Sequence, residues 1–175
     1  MSRYDVVKRH QYADYLNVGT ADKEDFVLMG AGFTTLDENP SAQSESTKYV
    51  NEVSASSEVV GYETSFPFEA EQIADEKAID ALYKVGRNHL VGTNAMFDYI
   101  RVELWNKASG SGASETSFEA RKFVVSAEIS SISGENKQII AGNLNTVGDP
   151  VLGTFDIVTK KFTEASATWS RRIEE

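Results

Sequence analysis

The strongest constraint on the fold is a two-residue alternation of apolar side chains in several short segments. In segment 98–105, every second residue is apolar, with Ile100, Val102 and Leu104 on one face. Successive side chains of a β-strand point to opposite faces, so this period predicts a strand. Comparable patterns predict further strands at 26–34, 58–68, 117–130, 137–145, 151–158 and 161–169. The chain is therefore expected to be mainly β.

Details of these segments predict how the strands are connected. Segment 117–130 changes the parity of its apolar face near Arg121 and Lys122, which indicates a bulge or bend there. Short polar connections at 134–136 and 159–161 are typical of hairpin turns.

One α-helix is predicted over 75–88. Ile79, Leu82 and Tyr83 recur at helical spacing, and Asp75 is the expected N-cap. Strands that flank one helix favour a β-sandwich or open barrel with the helix packed on its outside.

Two stretches have little capacity to form a core. Residues 37–58 contain only Tyr49, Val50 and Val53 as large apolar side chains, so we expect a long extended loop that is either disordered or used in binding. Residues 106–116 are small, polar and rich in glycine, which predicts a flexible exposed loop.

Composition excludes several classes of function. The chain has 175 residues, the size of one domain, with 17 Lys and Arg against 27 Asp and Glu, a formal net charge of −10. Such a chain does not wrap nucleic acid by neutralising phosphates. It has no cysteine and only two histidines, His10 and His89, which lie far apart, so neither a disulfide scaffold nor a zinc site is expected. It has neither a signal-peptide pattern nor an apolar run long enough to span a membrane.

Catalytic motifs are weak. Gly30 and Gly32 are followed by Thr35 where a dinucleotide-binding fingerprint has its third glycine, and no nucleophile-elbow motif occurs. His89, at the end of the predicted helix, is better explained by its contact with the helix dipole than as a general base. We therefore expect no enzymatic activity, no cofactor and no metal.

The acidic residues are concentrated in one region. Residues 37–76 contain ten Asp and Glu against Lys48 alone. The residues alone favour a solvated loop for the core-poor part of this region, with contact to a basic partner as the alternative.

Several motifs resemble one family of structural proteins. They are the DENP turn at 37–40, the run GYETSFPFEAEQI at 61–73 and the acidic helix start DEKAIDALY at 75–83. Further similarity lies in FEARKFVVSAEIS at 118–130, GNLNTVGDPVLGTFD at 142–156 and KKFTE at 160–164. Over about residues 32–165, with gaps, the chain resembles the tail tube proteins, or major tail proteins, of phages and phage-like particles of Gram-positive bacteria.

The resemblance implies an architecture and a set of partners. Such proteins form hexameric rings that stack into a hollow tube, so residues 1–175 would be a single tail tube domain with an N-terminal arm at 1–20. The implied partners are other copies of the chain, the tape-measure protein, tail-tip or terminator proteins, and a sheath if the tail is contractile. DNA would pass through without specific binding. The expected location is the virion, after assembly in the cytoplasm of the bacterial host, without membrane contact.

The resemblance also suggests candidate residues. The segment 37–58 would reach a neighbouring subunit or ring, and the expected inter-subunit contacts are Asp37, Glu38, Asn39, Pro40, Glu45, Lys48, Tyr49, Glu52, Arg171 and Arg172. Outward positions on strands are candidates for the lumen of the tube, namely Glu103, Glu128 and Asp156.

Other functions stay open at this point. A monomeric carbohydrate-binding or ligand-binding β-sandwich would need exposed aromatic side chains, for which Tyr99 and Trp105 are the available pair. A DNA-free tail-like bacteriocin would use the same tube without conducting a genome. A hydrolase with paired carboxylates ranks last.

Overall fold

The computed structural model describes residues 6–20, 22–109 and 113–165, and β-strands make up 53% of it. The strands are β1 (Tyr12–Asn17), β2 (Phe26–Leu28), β3 (Phe33–Leu36), β4 (Ala42–Thr47), β5 (Ser56–Tyr62), β6 (Ser65–Glu71), β7 (Met96–Lys107), β8 (Ser117–Ser133), β9 (Ile139–Thr146), β10 (Val151–Asp156) and β11 (Lys161–Glu164). Helix α1 (Lys77–Arg87) lies between β6 and β7, and short 3₁₀ turns occur at Arg9–Gln11 and Gly92–Ala95.

Nine strands form one antiparallel sheet in the order β2-β1-β7-β8-β9-β6-β3. The long strand β8 divides this sheet, because its C-terminal half pairs with β9 whereas its N-terminal half pairs with β10. β11 continues the sheet beyond β10. β4 and β5 pair with each other and form a separate two-stranded sheet.

The sheet curls around a first core that α1 closes. Phe66 of β6 lies against Tyr99 of β7 and Phe123 of β8, with ring centroids 4.6 and 5.0 Å apart. Ile79 and Leu82 of α1 are buried in the same cluster. This apolar stripe is what places the helix on the sheet, since burial of one face supplies most of the stability of a short helix.

A second core lies on the opposite face of β1 and β7. Phe155 of β10 packs on Tyr15 and Phe26, with centroids 4.7 and 5.8 Å apart. Both faces of β7 are therefore apolar, with Tyr99 in the first core and Ile100 in the second. The expected mainly β fold with one packed helix is confirmed.

Two predicted strands are each two strands in the structure. Segment 26–34 divides into β2 and β3 at a turn where Gly32 has φ +83°, a left-handed conformation that glycine adopts without steric cost. Segment 58–68 spans the end of β5 and the start of β6, which are separated by residues 63–64.

The predicted bulge near Arg121 and Lys122 is wrong. The β7–β8 ladder runs without a register shift from Ala120 to Ser126. The apolar face changes because β8 passes from one core to the other, with Ala120 in the second core and Phe123 in the first.

The helix and the two hairpin connections lie where the sequence predicts them. α1 falls within 75–88, and the β8–β9 and β10–β11 hairpins turn at the expected sites. The N-cap, however, is Glu76, and Asp75 has φ +70°. An N-cap residue needs an extended backbone, so Asp75 does not act as one.

Within the expected N-terminal arm at 1–20, residues 1–5 lie outside the described part of the chain, and β1 occupies Tyr12–Asn17 between β2 and β7. Leu16 and Tyr15 are buried in the first and second cores respectively, which is why this segment is held in place. In 106–116, residues 106–107 still belong to β7 and residues 110–112 lie outside the described part of the chain.

Candidate assembly surfaces

The most unusual surface is the hairpin formed by β4 and β5, which we call the projecting hairpin (residues 42–62). All six residues of β4 and all residues of β5 except Gly61 are exposed. Its exposed apolar side chains are Tyr49, Val50, Val53, Val59, Val60 and Tyr62. Within the expected extended loop at 37–58, residues 42–47 and 56–58 are paired as β-structure and the other residues lie outside the strands.

The projecting hairpin is poorly stabilised by its own chain. Isolated two-stranded hairpins are at best marginally stable in water. Glu45 lies directly opposite Glu58, and like charges in such cross-strand pairs are unfavourable. A strand pair with apolar side chains on its surface and repulsion within it is typical of a segment that is completed by contact with another surface.

The base of the projecting hairpin is fixed to the barrel. Asn39 and Ser65 exchange backbone hydrogen bonds of 2.8 and 2.9 Å. The Glu63 amide donates to the Ser41 carbonyl at 3.1 Å, which closes the two ends of the hairpin. The direction in which the hairpin projects is thus set by the body of the protein.

Glu38, at this base, is engaged within its own chain. Arg121 donates through both terminal nitrogens to its two carboxylate oxygens, at 2.6 and 2.8 Å. The Glu38 side chain is 19% exposed. The bidentate pair with Arg121 engages both carboxylate oxygens within the chain, and the expected contact of Glu38 with a neighbouring subunit stays a prediction.

A buried ionic cluster extends from Glu38 into the barrel. Arg101 lies between two carboxylates, with Nη1 3.7 Å from Glu38 and Nε 3.6 Å from Asp14. Asp14 also accepts hydrogen bonds from the Tyr99 hydroxyl at 2.5 Å and from Arg9 at 2.6 Å. Burial, followed by the negative charge of Asp14, raises the pKa of Tyr99 well above its usual value.

The sequence contains one signal for this cluster, although no motif marks it. Asp14 stands inside an otherwise apolar run, Tyr12–Leu16, and its side chain is 1% exposed. A charged residue at such a position has to be paired, since an isolated buried charge is very costly. The partners, Arg9 and Arg101, could be identified only from the fold.

The remaining expected inter-subunit residues fall into three groups. Asp37, Asn39 and Pro40 are exposed at the base of the projecting hairpin. Glu45 lies on β4, while Lys48, Tyr49 and Glu52 are exposed or partly exposed at its tip. Arg171 and Arg172 lie outside the described residues.

The three candidate lumen residues do not share one face. Glu103 lies on the same face of β7 as Arg101. Asp156 lies on that face of the sheet too, because it pairs with Ser117 of β8. Glu128 has the opposite parity on β8, where it accepts a hydrogen bond from Asn145 at 2.9 Å. A single inward-facing surface of the barrel cannot display all three.

Asp156 has a structural role in its own turn. It accepts hydrogen bonds from the side chains of Ser114 and Thr116 at 2.6 and 3.0 Å. The amides of Val158 and Thr159 donate to its other oxygen. The Ser114 hydroxyl and the Thr159 amide are the main reasons why the pKa of Asp156 lies well below its usual range.

The aromatic pair needed by a carbohydrate-binding module is not available. Tyr99 is fully buried in the first core, and Trp105 is half-buried on β7. Sugar-binding platforms need exposed aromatic faces. The prediction that Tyr99 is exposed for such binding is wrong. The alternating apolar residues of β7 do not by themselves show that both faces of that strand are buried in a core.

Within residues 6–20, 22–109 and 113–165, no group of three or more His, Asp or Glu side chains is placed to hold a metal ion. The helix that the structure describes is too short to cross a bilayer.

Comparison with models of known protein families gave no match, and comparison with curated proteins gave none either.

Proposed function

We propose that this chain is a structural subunit of a phage or phage-like tail tube, assembled as stacked hexameric rings around a central channel. The observation that carries the proposal is the projecting hairpin. It is fixed at its base, exposed along its length and apolar at several positions, which suits a connection to an identical neighbour.

Open sheet edges support the same proposal. In the described part of the chain, β2 and β3 end the curled sheet and β11 ends its branch. Unpaired edges invite pairing with other strands, and closing them around a ring removes that hazard. A ring of identical subunits therefore uses both features of this fold, the edges and the projecting hairpin.

The face that carries Glu128 is our candidate for the channel surface. On this face, paired residues of β6, β9 and β8 lie side by side in two rows across the strands. The rows are Ser65–Asn145–Ser126 and Pro67–Asn143–Glu128. Apart from Pro67, the side chains in these rows are polar or acidic, and none of them is Lys or Arg. Like charge would keep DNA from adhering to such a wall. In this role the subunit would also contact a tape-measure protein during assembly and tail-tip or terminator proteins at the tube ends.

The test is a variant in which residues 42–62 are replaced by an Asn-Gly turn. The Ser41–Glu63 hydrogen bond holds the two ends together, so a short turn can close them without distorting the barrel. We expect this variant to fold with an unchanged Tm and to remain monomeric at concentrations where the full chain forms rings or tubes. A folded variant that still forms tubes of normal diameter contradicts the proposed role of the hairpin.

A matched control separates loss of a specific contact from loss of chain length. Replacing the Gly-rich residues 109–113 by a shorter turn shortens the connection between β7 and β8. We expect that variant to assemble like the full chain. Equal failure of both variants would mean that assembly does not depend on the projecting hairpin in particular.

A further inference from the structure

The segment that leads into the projecting hairpin, residues 37–41, is tied to the barrel through a side chain as well as through its backbone. The Asp37 amide donates to the Pro67 carbonyl at 3.1 Å, so the backbone here continues the pairing of β3 with β6. Glu38 follows two positions after Leu36, which is buried in the first core. The Glu38 carboxylate lies against the buried arginines, so the base of the hairpin is in contact with the ionic cluster of the barrel.

The register of the sheet brings two of these arginines together. Asp14, Arg101 and Arg121 lie side by side on β1, β7 and β8, because each is directly opposite the next. Like charges in such cross-strand pairs are unfavourable. Glu38 contacts both arginines, since Arg121 binds its two oxygens and Nη1 of Arg101 lies 3.7 Å away. Its carboxylate therefore offsets a repulsion that the sheet register imposes.

A second tie joins the cluster to the backbone just before the hairpin base. Arg9 donates to Oδ2 of Asp14 at 2.6 Å and to the carbonyl of Leu36 at 3.0 Å. Leu36 is the last residue of β3. The cluster thus holds the entry to the hairpin at two points, once through the side chain of Glu38 and once through a backbone carbonyl.

The tie through Glu38 can open without leaving an isolated buried charge. Arg101 is only 6% exposed, but Oδ1 of Asp14 would still lie 3.6 Å from its Nε. The Arg121 side chain is 28% exposed, so water can solvate its guanidinium once Glu38 has left. Loss of Asp14 is different, because Arg9 and Arg101 share its carboxylate.

We propose that the contact of Glu38 with Arg121 and Arg101 is a latch, which holds the base of the projecting hairpin on the barrel and can open while the barrel stays folded. Asp14 is the fixed carboxylate of the cluster and Glu38 the releasable one. The latch is a property of the isolated subunit. Its use, to let the hairpin adjust its direction when a neighbouring subunit binds, rests on the proposed function.

The test is native-state hydrogen exchange, followed by NMR in the full chain at concentrations where the protein is monomeric. The amides of Asn39, Glu63 and Ser65 make the hydrogen bonds that close the hairpin base, so their exchange reports its opening. Because E38Q replaces hydrogen bonds to a charged group by weaker ones, it should speed exchange of these three amides about tenfold. Amides of β7, which lies between β1 and β8, should exchange at nearly the wild-type rate.

Two other variants distinguish the latch from general effects on stability. D14N should speed exchange of the β7 amides as well, because Asp14 supports the barrel itself. E71Q is the matched control. It removes the carboxylate of Glu71, on the same strand as Ser65, from an exposed ion pair with Lys137, and it should leave exchange at the hairpin base unchanged.

The latch is overturned if E38Q leaves exchange of the three base amides unchanged, or if E71Q speeds it equally. It is also overturned if E38Q does not fold or speeds exchange of the base and of β7 alike, because Glu38 would then serve the fold as a whole. The double variant E38Q/R121Q should exchange at the base about as fast as E38Q, and a further increase of about tenfold would show that Glu38 does not act through Arg121. Failure of the full chain to form tubes would leave these results unaffected.

Discussion

Two neighbouring valines on β5 allow the assembly proposal to be tested without removing any backbone. Val59 and Val60 are 51% and 57% exposed, and among the strands that the structure describes β5 pairs only with β4. Threonine keeps the β-branched shape that strands favour but replaces a methyl group by a hydroxyl. The double variant V59T/V60T should therefore leave the folded subunit intact and weaken contact with a neighbour.

The size of the effect follows from the exposure of the two side chains. Complete burial of a valine stabilises by about 2 kcal/mol, so covering a half-exposed one contributes about 1 kcal/mol. Since neighbouring side chains of β5 point to opposite faces, each substitution should cost about 1 kcal/mol at its own face, and the two together about 2 kcal/mol per subunit when neighbours cover both faces. At 1.4 kcal/mol for each factor of ten, this is an increase of about 30-fold in the concentration needed for assembly.

The assay is light scattering and sedimentation velocity over a concentration series, accompanied by urea unfolding of the monomer. We expect the free energy of unfolding to change by no more than about 0.5 kcal/mol, as for other exposed sites. V158T is the control, because Val158 is exposed in the β10–β11 turn, outside the projecting hairpin. An assembly threshold that V59T/V60T leaves unchanged, or that V158T raises equally, would refute the reasoning.

Three further predictions concern the body of the subunit. D14N removes the carboxylate that pairs with Arg9 and one of the two carboxylates beside the buried Arg101, and it should lower the free energy of unfolding by about 3 kcal/mol in urea; a loss below 1 kcal/mol would mean that the cluster is not needed for stability. F66A removes the ring that joins Tyr99 and Phe123 and should cost about 3–5 kcal/mol by the same measurement, and a cost near zero would contradict the described core. The folded-state pKa of Glu119 is raised above 4.5, so wild-type stability should fall as pH rises from about 4.5 through that pKa. E119Q removes this loss, so its advantage over wild type in urea unfolding should be larger at pH 7 than at pH 4, and a constant difference would show that Glu119 does not titrate as described.

Elements with local signals were predictable from the sequence. Helix α1 is defined by apolar residues at helical spacing, and the β8–β9 and β10–β11 hairpins by short polar connections between strands. These features depend on residues that are close in the chain, so their positions followed without knowledge of the fold.

Features that depend on long-range packing were not predictable in the same way. The alternation on β7 identified a strand but not that both of its faces are covered, which is why Tyr99 was expected to be exposed. The apolar residues of β8 change from one face of the strand to the other for the same reason, because the strand passes from the second core to the first. In the projecting hairpin β4 has no buried face, so the apolar pattern that identifies strands is absent from β4.

The candidate site was predictable only in part. The sequence located the region, because residues 37–58 lack a core-forming pattern. It did not identify which charged residues there are free, and Glu38 turned out to be paired with Arg121, 83 positions away. Ion pairs between such distant positions follow from the register of the sheet, which the local pattern does not contain.

The most direct test is electron microscopy of the purified full chain in negative stain over a range of concentrations. The account predicts hollow filaments or six-fold rings that form from one protein alone. Particles that stay single at every concentration, and that are also absent from any isolated phage-like tail, would contradict it.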